Sequence, residues 1–125
     1  MPRQNEPVIN IEHENVLVPT NFDYIDSTHN FQLFKRLLMA AIKSVSGNLI
    51  VSLIHLPTSR ASTFWMLLFK MAIAMKKNHR LLVLADLNEA QLRVVELLGV
   101  DKILPCFGSY HEANEFLLNK AMDHG

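Results

Sequence analysis

Cysteine occurs once, at Cys106, so no disulfide can form within the chain. A single thiol fits a reducing compartment, where the fold must rest on its apolar core. Glycine is scarce too. Gly47, Gly99, Gly108 and Gly125 are the four, and none of them builds a dinucleotide fingerprint or a P-loop. Charge of one sign is not in excess, because 12 acidic side chains cancel 12 basic ones. Nucleic acid, an anionic membrane or an acidic substrate therefore meets no global attracting field. Met1 to Glu6 lacks the apolar stretch of a signal peptide, so a cytoplasmic location is expected.

Apolar residues are plentiful, at 50% of the 125. A chain of this length and composition fits one domain, expected over 1–125 with its core at roughly 8–120. One run, 61–75, carries Lys70 as its single charge. At ~1.5 Å per residue it reaches only ~22 Å, short of a ~30 Å bilayer core. Direct membrane insertion is not expected, and the run reads as a covered helix.

The order of patterns points to an α/β fold. Residues 7–18 look extended, with Val8, Ile9, Ile11, Val16, Leu17 and Val18 around a turn at His13 to Asn15. Phe31, Phe34, Leu37, Leu38, Ala41, Ile42 and Val45 recur at helical spacing. Asp26, Ser27 or Thr28 caps that helix and Gly47 closes it. Residues 48–56 form a β-branched, apolar run of the kind buried central strands show, and 81–85 reads as a second buried strand. A helix over 61–77 joins them. Asn88 caps a helix ended by Gly99, 103–107 reads as a further strand, and Ser109 with Glu112 forms a capping box for the last helix. This alternation predicts a mixed, largely parallel sheet of four to five strands with about four helices.

Catalytic and metal constellations are not legible. The six histidines lie far apart, and His111-Glu112 has no second histidine at zincin spacing. Cys106, between Pro105 and Phe107, reads as a small buried hydrophobe. Asp23, Asp26, Glu112 and Glu115 stand beside helix starts, where carboxylates favour the helix dipole. No cofactor, metal, nucleic acid or catalytic residue is expected, and the reading is non-enzymatic.

From Leu49 to Met75 the strand, loop and apolar helix resemble the STAS family, the anti-sigma-factor antagonist domain. Ala61-Ser62-Thr63-Phe64 stands at that family's Asp-Ser-Ser/Thr-Gly, so Ala61 and Phe64 replace the Asp and the Gly. Leu92 to Gly99 resembles its "R-x-x-L-E-L-x-G" helix, Val100 to Pro105 its "L-D-K-L-F-P" turn, and Ser109 to Leu117 its closing helix. The resemblance implies a bacterial regulatory domain whose partner is a serine-kinase anti-sigma factor. Its alternative is a subunit docked on the ATPase and permease of a phospholipid transport complex.

The resemblance places Ser62 where antagonists carry a phosphorylatable serine, and a plain capping role is the other reading of the same residue. The expected partner-binding residues are Thr58, Ser59, Arg60, Ser62 and Thr63, with Trp65 and Phe69 from the apolar helix. Around this helix, Phe64, Leu67, Leu68, Met71 and Met75 share one face and Trp65, Phe69, Ala72 and Ile73 a second. A helix apolar all round must bury both. Either neighbouring helices cover the second face, or Trp65, or Phe69 one turn on, stays partly exposed as an anchor for a partner.

Overall fold

A computed structural model describes residues 16–20, 22, 25–57 and 62–123. Three of its helices begin where a side chain takes a free backbone donor. The Ser27 hydroxyl accepts from the Asn30 amide at 3.1 Å and opens α1 (Thr28–Ser44). Gly47 does not close this helix. Val45 is already extended there, and the Arg80 guanidinium donates to the carbonyls of Ile42, Val45 and Gly47 at 2.9, 2.7 and 2.8 Å. A cation thus satisfies the carbonyl end of α1, where the dipole favours it.

The next helix, α2 (Ser62–Lys77), ends on Lys76 and Lys77. His79 takes the left-handed position after it, with φ 59°, and the amides of His79 and Arg80 bond the carbonyls of Lys76 and Met75. This is the closing motif glycine usually supplies. α3 (Glu89–Leu98) opens with a reciprocal cap, Asn88 to the Gln91 amide and Gln91 to the Asn88 amide, each at 2.8 Å. It ends on Gly99 at φ 72°. A 3-10 turn (Val100–Lys102) follows, and α4 (Tyr110–Asp123) begins with the Ser109 hydroxyl accepting from the Glu112 amide.

Three strands form a parallel sheet in chain order: β1 (Val16–Leu17), β2 (Leu49–Ser52) and β3 (Leu82–Ala85). The expected strand at 103–107 is reduced to one parallel bridge, Leu84 to Cys106. The amides of Ile103 and Leu104 both bond the Val100 carbonyl, and Pro105 has no amide to donate. Only the Pro105 carbonyl and the Phe107 amide are left to reach Leu84. The described residues therefore hold three strands and a bridge where four to five strands were expected, and 7–15 lie outside them.

When strands follow chain order, right-handed crossovers return on the same side of the sheet. The core divides accordingly. Leu17, Leu49, Val51, Leu82 and Leu84 face Phe34 and Leu38 of α1, Phe64, Trp65 and Leu68 of α2, and Val95 of α3. The alternate residues, Val16, Ile50, Val83 and Ala85, face Ala113 and Leu117 of α4. No helix among the described residues is long and apolar enough to cross a membrane.

Candidate functional site

In open α/β sheets the loops outside the carboxyl ends of the strands gather functional groups. Here Ser52 ends β2, and Asp86 stands one residue beyond β3 with a left-handed φ of 61°. Aspartate tolerates that conformation better than most side chains. The Ser52 hydroxyl donates to Asp86 Oδ2 at 2.5 Å, a length typical of a charge-assisted bond. Asp86 Oδ1 accepts from the Tyr110 amide at 3.0 Å, at the dipole-positive start of α4. One carboxylate thus ties the end of β2, the end of β3 and the start of α4. The sequence offered a weak signal for it, an acidic residue directly after a buried apolar strand.

The segment leading to α2 leaves from this knot. The Ile54 amide reaches Ser52 Oγ at 3.4 Å, and the Leu53 amide bonds the Ala85 carbonyl at 3.0 Å. Leu53 and Leu56 are buried, whereas His55 and Ile54 are exposed, Ile54 by 60%. The expected partner-binding residues Thr58, Ser59 and Arg60, and also Ala61, lie outside the described residues. Ser62 is the first residue of α2 and so lies inside the first turn. Ser62 and Thr63 are exposed. Further along the same side, Met66 and Lys70 are exposed as well. At four-residue spacing, Ser62, Met66 and Lys70 form one stripe.

Trp65 does not belong to that surface. Trp65, or Phe69 one turn on, was expected to be partly exposed as a partner anchor; the exposure of Trp65 is 0%, whereas Phe69 keeps part of its surface. The Trp65 ring meets Phe64 edge-on with centroids 4.9 Å apart, and Phe64 lies 5.1 Å from Phe34 of α1. Helix α2 is buried on the sheet and flanked by α1, so the side holding Trp65 and Ala72 is covered from within the domain. Phe69 is half-buried against the same core.

Cys106 is half-buried at the bridge to β3, and its thiol donates to the Leu104 carbonyl at 3.1 Å. Burial, with the negative Asp101 second, pushes its pKa up to about 12, so it is protonated at neutral pH and a poor nucleophile. His29, His55, His79 and His111 are exposed and dispersed over the fold. His111 makes a surface contact of 3.0 Å with Glu115 one turn on.

A similar fold occurs in the protein TM1081, whose structure was solved by NMR. The two superpose with a TM-score of 0.65 at 20% identity, over 86% of this chain and 84% of that one. At that identity the likeness shows the fold alone. No family model matches the sequence, and no curated protein matches it.

Proposed function

We propose that this chain is a non-enzymatic, protein-binding regulatory domain of the STAS type, which docks a serine-kinase anti-sigma factor through the start of α2. The reading is carried by the position of Ser62 and Thr63, exposed on the first turn of a helix whose next two side chains, Phe64 and Trp65, are locked in the core. A surface change at Ser62 can therefore alter docking without loosening the fold. A phosphate there adds ~1.5–2 negative charges at a helix end that tolerates them. Met66 and Ile54 supply exposed apolar contact area near the same end of the sheet. The knot at Asp86 holds the origin of the preceding segment in place.

The test is calorimetric titration of the full chain with the serine-kinase anti-sigma factor of its own cell. Ser62→Asp should weaken binding by about tenfold or more, ~1.4 kcal/mol, and Ser62→Ala by less than about threefold. Both variants should melt close to the wild type. Incubation with the kinase and ATP should add one phosphate to the wild type and none to Ser62→Ala. Unchanged affinity for Ser62→Asp would remove the start of α2 from the interface. Stable association with a transport ATPase instead of the kinase would replace the switch by the transport-subunit reading.

A further inference from the structure

At the other end of the sheet a hollow of about 670 Å³ opens beside the amino ends of β2 and β3. That size lies within the usual range for small-molecule sites, ~300–1,000 Å³. Its lining draws basic side chains from separate parts of the fold: Lys76 from the end of α2, His79 and Arg80 just after it, Lys102 from the 3-10 turn and Lys120 from α4. Among the described residues no carboxylate lines it. In a chain with no net charge, this is a local concentration of one sign.

Leu81, Ile103, Pro105 and Phe116, all half-buried, are the apolar part of the lining. The Leu81 amide donates to Asn48 Oδ1 at 2.8 Å, which locks the two strand entrances together. Phe116 packs against Phe107 with ring centroids 5.3 Å apart, and Lys120 Nζ sits 5.6 Å from the Phe116 ring centre. Arg80 contributes charge but spends its Nε and Nη2 donors on the carbonyls near the end of α1. Arg80 keeps its Nη1 donors, and the three lysines of the lining, Lys76, Lys102 and Lys120, are all exposed.

We propose that this hollow binds a small phosphate ester. The dianionic phosphate is held by Lys76, Lys102 and Lys120, and the organic part lies on Phe116, Ile103 and Pro105. Cations grouped around one hollow suit a compact charge, whereas an extended polyanion is met by a stripe. The apolar part of the lining favours an ester over a free inorganic anion. The site stands at the opposite end of the strands from Ser62 and does not depend on the docking reading.

The probe is 1-naphthyl phosphate, titrated calorimetrically into the full chain at low salt. Saturable one-site binding with Kd below ~1 mM is expected, weakening as salt rises. Inorganic phosphate should bind at least about tenfold more weakly, and uncharged 1-naphthol should not bind. Lys102→Ala with Lys120→Ala should reduce affinity about tenfold or more, whereas the paired Lys→Arg changes should retain it within about threefold. Lys70→Ala, on the exposed stripe of α2 away from the hollow, should have no effect. A phospholipid headgroup carries the same phosphate, so vesicles containing phosphatidic acid form the second arm. Vesicle binding that 1-naphthyl phosphate competes away would identify a lipid as the source of the ester. No saturation by 10 mM probe (about ten times the expected limit), equal weakening by Lys70→Ala, or vesicle binding that the probe leaves untouched would overturn the proposal.

Discussion

On α2, Thr63 faces solvent while Trp65, two positions on, is 0% exposed. That difference decides what each substitution does. Trp65→Ala would empty the largest buried side chain and strip Phe64 of its edge-on partner. Large aromatic truncations of this kind cost ~3–5 kcal/mol. Urea denaturation followed by circular dichroism should show that loss, and a loss below ~1 kcal/mol would contradict the packing described. Cys106 makes a pH prediction. Its pKa rises from the ordinary 9.0 to about 12 in the folded chain. The folded state therefore holds a proton that the unfolded state releases, and stability falls as pH climbs from about 9 towards 12. Cys106→Ala should remove that part of the alkaline loss when melting curves of the two proteins are compared. The native thiol should also react with iodoacetamide far more slowly at pH 8 than the same thiol in urea.

Elements differ in how much of them the sequence shows. Caps are local, so Asn88 and Gly99 at φ 72° were legible from a few neighbouring letters, Ser27 was one of three candidates, and the reciprocal bond from Gln91 was missed. The end of α1 was not, because its carbonyls are satisfied by Arg80, 33 to 38 residues away along the chain. Which side of α2 is covered was not legible either. Apolar residues all round a helix say that it is buried but not by what, and here Trp65 and Ala72 join one core with residues of α1, α3 and the 3-10 turn. Asp86 joins its elements through tertiary hydrogen bonds, with only the end of a strand to announce it. Asp86→Ala removes the acceptor of the Ser52 hydroxyl and the Tyr110 amide, and places a Cβ-bearing apolar residue at φ 61°. A destabilisation of ~2–4 kcal/mol is expected. Asp86→Asn, which keeps an acceptor and tolerates the backbone, should lose less. Equal melting temperatures for wild type and Asp86→Ala would show that the carboxylate does not hold these elements together.

The whole molecule follows from strand order. A parallel sheet in chain order sends α1, α2 and α3 to one face and leaves α4 to cover the other. Strand–helix alternation made that class of fold legible, and the TM1081 superposition agrees with it. The strand count was not legible, because pairing at 103–107 depends on how many amides the preceding 3-10 turn uses first. The two ends of the sheet carry different surfaces: the exposed Ser62, Met66 and Ile54 at one, and the lysine-lined hollow at the other. The central claim is that a protein partner docks on the first of these. Amide chemical-shift mapping of the full chain during titration with the serine-kinase anti-sigma factor tests it most directly. The predicted result is a set of shifts concentrated at residues 54–57 and 62–70, abolished by Ser62→Asp. Shifts concentrated on α3 and α4, with residues 62–66 unchanged, would contradict it.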